Sequence, residues 1–245
     1  MNDVTELLLR HRSVRSFKPD AVSDDMLETI VRCAQMASTS SNVQAYTVIA
    51  VTNPETKRAL SVVAGNQRHV EQCPVLLVWC ADLSRDRLAC ANEGVTMVSG
   101  TMENFIVATV DVALAAQNAA VAAESLGLGI VYIGGLRNDL REVTRLLNVP
   151  ELVYPIFGMC LGYPEGPSGV RPRLPLRAVL HREAYDAGVY AAAVAEYDKT
   201  MREYYLERTK GKRDTTWSKE MADKFGRPAR AYVRDYLEEQ GFRFD

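Results

Sequence analysis

No CxxC pair occurs among the five cysteines (Cys33, Cys73, Cys80, Cys90 and Cys160), and the three histidines (His11, His69 and His181) fall at no metal-ligand spacing. A zinc site and a disulfide framework are therefore not what organises the chain. GxGxxG, the P-loop pattern GxxxxGK, GxSxG and HExxH are also missing. Their absence sets aside the commonest dinucleotide, phosphate-loop, hydrolase and metalloprotease chemistries. There is no internal repeat and no low-complexity segment. The net charge is only −2, so nothing in the chain as a whole selects nucleic acid or an anionic membrane as partner. The opening MNDVTELLLRHR has an apolar run too short for a secretory signal, so no targeting segment is expected. An odd number of cysteines, most among apolar neighbours, suits a reducing compartment, and the expected location is the cytoplasm.

What the chain does have is 245 residues, enough for one large domain or two small ones, with an ordinary 47% hydrophobic content. Its most distinctive stretch is residues 105–126, FIVATVDVALAAQNAAVAAESL, apolar at 16 of 22 positions and free of Gly and Pro. Alanine-rich and apolar on nearly every face, it predicts a central helix buried on most sides, whose small side chains let another backbone approach closely. Asp111, Gln117, Asn118 and Glu124 interrupt the run and argue against a membrane span. Asp111, Asn118 and Ser125 recur every seven residues as one polar stripe. Gly127-Leu128-Gly129 then stops the helix, Ile130–Ile133 reads as a short buried strand, and Gly134-Gly135 as a turn.

Along the rest of the chain, a short helix over residues 3–10 leads into the cationic cluster His11-Arg12-Ser13-Val14-Arg15. Ser23 caps a helix with Asp24 and Asp25 in its first turn, which runs into the hydroxyl-rich segment 37–42. Residues 46–52 read as a strand, Asn53-Pro54 as a helix start, and 75–81 (VLLVWCA) as a central strand buried on both faces. Residues 82–104 are charged and mixed, and a loop or a mobile helix is expected there. A helix over about 139–147 precedes a proline-containing strand over 152–161. Residues 162–175 form a Pro/Gly loop, 187–208 an Ala/Tyr-rich helix, and 217–240 a mostly helical tail. Strands alternating with helices and a helical ending give an α/β or α+β fold around a central sheet.

Several features could carry chemistry. The 11–15 cluster offers guanidinium forks and a hydroxyl suited to phosphate oxygens, although a solvated basic turn has the same composition. Arg171 and Arg173 sit between prolines that limit the loop's freedom. Gly134-Gly135 lets backbone amides approach a flat ligand, or makes a plain turn. The Ser38–Ser41 run could hold a ligand or end a helix, Gln67 could pair with a ring amide or be merely exposed, and Asp111 could satisfy a buried polar group.

Taken in order, HRSVRSF, STSSNVQA, GNQRHV, AAQNAAVAAESLGLGIVYIGGLRN, FGMCLGYP, RPRLP and RDTTWS resemble the nitroreductase family, in its oxygen-insensitive NADPH-dependent branch with a C-terminal extension. The resemblance runs from Leu7 to about Gly241 and is most specific over Ala115–Asn138. It implies an α+β fold with a mixed central sheet wrapped by helices. The core would span residues 1–165, with 166–245 (the Arg/Pro loop and helical extension) packing on the same single domain. It also implies an intertwined homodimer with FMN at the subunit interface and NADPH as donor. His11, Arg12, Ser13 and Arg15 would contact the phosphate and ribityl chain, joined by Arg171 and Arg173, with Thr39 and Ser40 coming from the partner subunit. Gln67 would bond the ring, and Tyr132, Ile133, Gly134 and Gly135 would lie along it. Ser41, Asn42, Arg137, Tyr205, Arg208 and Arg227 would line the nicotinamide and substrate pocket, with Arg208 on the 2′-phosphate. Three positions depart from the family pattern: Asn42 stands where an aromatic residue is common, Arg171 for a lysine and Thr39 for a serine.

The implied activity is ping-pong reduction of nitroaromatics, quinones or related acceptors, with no catalytic side chain and no metal. An NADPH:FMN oxidoreductase releasing free reduced flavin, or a flavin-binding protein without turnover, are the alternatives. No nucleic acid or membrane partner is implied.

Overall fold

The computed structural model describes residues 2–166 and 168–242. The chain divides into two compact units, one of Met1–Ser168 with Arg230–Asp245, the other of Gly169–Ala229.

In the first unit, α1 (Asp3–Leu9) is closed by a reciprocal Asn2–Thr5 capping box, and α2 (Asp24–Gln35) starts at the Ser23 hydroxyl, as its sequence predicts. A 3-10 turn over Ser40–Asn42 leads to β1 (Tyr46–Val51). Then come α3 (Pro54–Val63), α4 (Arg68–Gln72), β2 (Val75–Asp82) and α5 (Ser84–Asn92). The long α6 (Met102–Ser125) precedes β3 (Gly129–Ile133), a 3-10 turn over Gly134–Asn138, α7 (Leu140–Leu147) and β4 (Val153–Gly162). In the second unit are α8 (Tyr190–Arg208) and α9 (Trp217–Phe225), and α10 (Val233–Glu239) belongs to the first unit again.

The sheet order is β1-β2-β4-β3, with all three ladders antiparallel. The parallel component of the expected mixed sheet is an isolated bridge between Ser13 and Ile130. Every residue of β2 is buried, because helices cover both faces. Leu77, Trp79 and Ala81 join a core with α2, α6 and α10, while Leu76, Val78 and Cys80 join a second core with α3, α4 and α7. This period-two division is what a strand between two helical layers must show.

Pro155 sits in β4 at a register shift, where Trp79 pairs with Phe157 and Cys80 with Pro155. A bulge tolerates proline and skips Ile156, whose carbonyl is left to another donor.

The central helix differs from its sequence reading in one respect. By length and composition α6 could cross a membrane, yet one stripe (Ala108, Val112, Ala115, Ala119, Ala123) is fully buried in the first core. The opposite stripe is not covered: Met102, Ile106, Val110 and Leu114, spaced by four, remain 45–51% exposed. The helix is thus buried on one side and apolar on both.

Its polar residues tie loops to it. Asp111, 1% exposed, accepts from the backbone N–H groups of Ser40 and Ala45, both at 3.1 Å. Asn118 donates to the Cys33 carbonyl, whereas Ser125 donates within the helix, to the Ala122 carbonyl. The Asp111 contacts hold a segment in which Ser41, Asn42 and Gln44 all have positive φ. Asp111→Ala is expected to cost about 3 kcal/mol in urea unfolding, because two donors to an ionised acceptor lose their partner; Asp111→Asn should cost less than half of that.

Of the two alternatives expected for the 82–104 stretch, a loop or a helix, residues Ser84–Asn92 take the helix, α5. The C-terminal tail is broken at Gly226–Pro228, and Tyr236, Leu237 and Phe242 are buried in the first core. The second unit has its own small core of Tyr197, Met201 and Tyr205 against Leu174, Tyr204 and Trp217.

Candidate functional site

β3 gathers the predicted cofactor-binding segments of the first unit. At its start, Val14 N–H donates to the Ile130 carbonyl at 2.9 Å, and the Ser13 bridge lays the 11–15 cluster along the strand edge. At its end lies the Gly134–Asn138 turn, about 13 Å further on by strand rise. Ser13 and Arg15 are exposed, and His11 and Arg12 half-buried. Arg12 lines a cleft of about 190 Å³ with Arg10, Glu124 and Gly129 among its walls.

His11 Nδ1 meets Glu124 Oε1 at 2.7 Å, which fixes the start of the cluster to the end of α6. Sequence reading had no signal for this pair, whose members are 113 residues apart. Arg15 is near enough to His69 to help depress the imidazole pKa, although burial is the larger cause. Arg15 thereby adjoins α4, whose first flanking residue is Gln67.

Gln67 Nε2 donates to the Ala64 carbonyl at 2.7 Å. Gly135 packs directly on this turn: a Cβ there would lie 2.6 Å from the Ala64 oxygen and 2.7 Å from Gln67 Nε2. The bareness of Gly135 is therefore used inside the chain. A Cβ on Gly134 would meet the Arg137 guanidinium at 3.2 Å.

The Tyr132 ring points toward α6: its hydroxyl donates to the Ala116 carbonyl at 2.9 Å, and burial raises its pKa. Ile133 is 1% exposed, with its side chain in the second core. At Ile133 only the main chain is left to meet a ligand. Arg137 donates to the Ile156 carbonyl freed by the bulge, at 2.5 Å. Burial lowers its pKa, and the neighbouring Arg230 lowers it further.

Ser40, and with it the Thr39–Asn42 segment, is anchored away from the 11–15 cluster. Ser40 is anchored at Asp111, thirteen helical residues from Glu124, or about 20 Å along α6.

The remaining predicted residues lie in the second unit. Arg171 and Arg173 are exposed, on a segment held by the Tyr197 hydroxyl, which donates to the Pro172 carbonyl at 2.8 Å. Arg208 is exposed, with its guanidinium 5.8 Å from the Tyr204 ring centroid and donating to the Tyr204 hydroxyl. Arg227 is exposed. Tyr205 departs from its expected pocket position: it is 1% exposed, its hydroxyl donates to Glu220 at 2.8 Å, and the Arg213 guanidinium covers its ring at 4.4 Å. Its side chain holds α8 to α9.

No group of three or more potential metal ligands occurs among the described residues. The donors present are cationic forks and a hydroxyl at one end of a strand, and an amide turn with Gln67 at the other. That chemistry fits a ligand with a phosphate and a flat polar ring.

Comparison with known proteins agrees. Residues 8–163 match the model of the nitroreductase family and residues 171–245 that of the nitroreductase family C-terminal domain. The chain is 46% identical to a Bacillus subtilis protein named FMN reductase (NADPH), covering 99% of each chain. It is 38% identical to the oxygen-insensitive NADPH nitroreductase of Salmonella typhimurium, again over 99% of each. The solved structure of B. megaterium NfrA2 superposes with a TM-score of 0.98 at 40% identity, over 100% of both chains. With an α+β fold, a strand-centred set of phosphate and amide donors, and relatives of this identity over its whole length, the chain belongs to the nitroreductase family.

Proposed function

We propose that this protein is an FMN-dependent NADPH oxidoreductase that reduces nitroaromatics, quinones or related acceptors. The observation that carries the reading is the convergence of the 11–15 cluster, Gln67 and the Gly134–Asn138 turn on β3. Bound FMN would supply hydride acceptance and two-electron donation, in a ping-pong cycle in which donor and acceptor occupy one pocket in turn.

The residues divide the work. Arg12, Ser13 and Arg15 would hold the phosphate through charge-assisted bonds, with His11 positioned by Glu124. The Gln67 amide and the turn N–H groups would bond the ring edge. Arg137 would place positive charge near the ring, which would favour electron uptake there. No side chain need act as nucleophile.

Thr39 and Ser40 would complete the site across a subunit interface, since about 20 Å of α6 separates their anchor from that of His11. The uncovered stripe of Met102, Ile106, Val110 and Leu114 is the apolar surface a two-fold dimer would bury. The free thiols of the described cysteines suit a reducing compartment, and we place the enzyme in the cytoplasm.

Anaerobic NADPH added to FMN-loaded protein should bleach the yellow absorption, and a nitroaromatic or quinone should restore it. A flavin that stays oxidised under excess NADPH would defeat the proposal. The B. subtilis relative's name favours a second reading, in which free FMN is the acceptor. A higher kcat/KM for free FMN than for nitroaromatics and quinones would select it.

Arg208 is the proposed discriminator for NADPH, being exposed and braced on Tyr204. Arg208→Ala should lower kcat/KM for NADPH about tenfold or more, as expected for a lost charged bond, and leave NADH within about twofold. Equal losses for both donors would remove the assignment.

A further inference from the structure

Nine other arginines each meet a carboxylate. Arg137 and Arg230 have no such partner among the described residues. Their acceptors are neutral: the Ile156 carbonyl at 2.5 Å for Arg137, and Asn138 Oδ1 at 3.2 and 3.0 Å for Arg230. The two residues are held together by the same turn, since Asn138 follows Arg137 and its amide also donates to the Val63 carbonyl at 3.1 Å.

Among the described residues no carboxylate bonds either guanidinium; the Asp139 carboxylate acts on the Tyr232 they both face but makes an ion pair with neither. Arg137 is half-buried, and what faces it is Arg230 and the Tyr154 and Tyr232 rings. Both hydroxyls are occupied: Tyr232 donates to the Arg137 carbonyl and accepts from Leu140 N–H, and Tyr154 bonds Thr109. The depressed Arg137 pKa has the same origin, burial first and the like charge of Arg230 second.

Arg230 is also strained. Its φ of 57° is left-handed, a conformation that a long side chain rarely adopts and that here directs its fork to Asn138. A half-buried guanidinium beside a second one, neither bonded to a carboxylate among the described residues, is an arrangement an external anion would relieve. Planar forks match a planar carboxylate or a sulfonate. The Arg137 guanidinium lies against Gly134, so the anion would sit at the Gly134 end of β3.

We propose that Arg137 and Arg230 together bind the carboxylate or sulfonate of the electron acceptor and so bias the enzyme toward anionic acceptors, an inference that rests on the reductase reading. Arg230 had no place among the residues singled out from the sequence, because nothing in the tail marks it as a neighbour of Arg137.

The test compares 4-nitrobenzoate with 4-nitrobenzamide, which differ in charge and little in shape, in wild type, Arg230→Gln and Arg230→Lys. Benzoate binding to the oxidised, FMN-loaded protein is measured alongside by calorimetry. Arg230→Gln should lower kcat/KM for nitrobenzoate about tenfold and weaken benzoate about as much, as for loss of a charged hydrogen bond, with nitrobenzamide within about twofold. Arg230→Lys should restore part of the loss. Arg230→Asn, which tolerates left-handed φ, replaces the glutamine variant should that one not fold. Equal losses on both nitro compounds, or unchanged benzoate affinity, would overturn the proposal. So would an effect confined to the NADPH/NADH ratio, which would give the pair to the donor's phosphate. Because calorimetry needs no turnover, a protein that NADPH does not reduce would refute the reductase reading while benzoate binding still judges the anion site.

Discussion

Val110→Asp is expected to break the proposed dimer into monomers and to strip the protein of FMN. Val110 is 48% exposed in the middle of four large apolar side chains spaced by four along α6. A row of that kind on a long helix has no reason to face water, and two-fold symmetry would bury it against its own copy. One substitution then introduces two carboxylates into the same apolar contact, each costing several kcal/mol without a partner. The flavin is lost as a consequence, because Thr39 and Ser40 reach the site only from the second chain in the proposed assembly. Light scattering coupled to size exclusion reads the mass, and visible absorbance the bound flavin. A Val110→Asp protein that stays dimeric with full FMN would remove α6 from the interface.

Gly135→Val is expected to have the second large effect, and for a reason inside the chain. The first added atom would stand 2.6 Å from the Ala64 carbonyl oxygen, which is backbone and cannot swing aside. Relieving it means moving the α3–α4 junction or the 134–138 turn, at about 1–3 kcal/mol for overpacking of this kind. The same movement displaces Gln67 Nε2, at 2.7 Å from the same point, and FMN affinity should fall more than about tenfold if that displacement forfeits a hydrogen bond to the ring. Gly169→Val is the control, since a Cβ there meets nothing within 4 Å. Similar stability and flavin content for the two variants would contradict the packing argument.

The parts of the fold legible in the sequence were those fixed by local pattern. The alanine-rich run gave α6, the uninterrupted apolar run gave β2, and Ser23 and Asn53-Pro54 marked helix starts. The 84–92 segment has no apolar stripe, so periodicity could not decide between a loop and the helix that α5 forms there. The burial of Tyr236 and Phe242 in the first core is set by contacts with residues far earlier in the chain, which no local pattern encodes.

The candidate site divides the same way. The 11–15 cluster and Gly134-Gly135 stood out by composition, and β3 joins them. Long-range partners did not stand out: Glu124 for His11, Asn138 for Arg230, and the bulge that frees Ile156 for Arg137. Tyr205 has the residue type of a pocket wall but is committed to Glu220 and Arg213, a distinction only packing can make.

The central claim is that each flavin is held by the 11–15 cluster of one chain and the Thr39–Ser40 segment of another. Arg15→Glu and Thr39→Glu test it when co-expressed with different tags and purified as mixed dimers. Each variant alone should bind almost no FMN, because either charge repels the phosphate. In the mixed dimer one site carries both lesions and the other carries neither. The account predicts one FMN per mixed dimer with wild-type affinity; a mixed dimer as empty as its parents would contradict it.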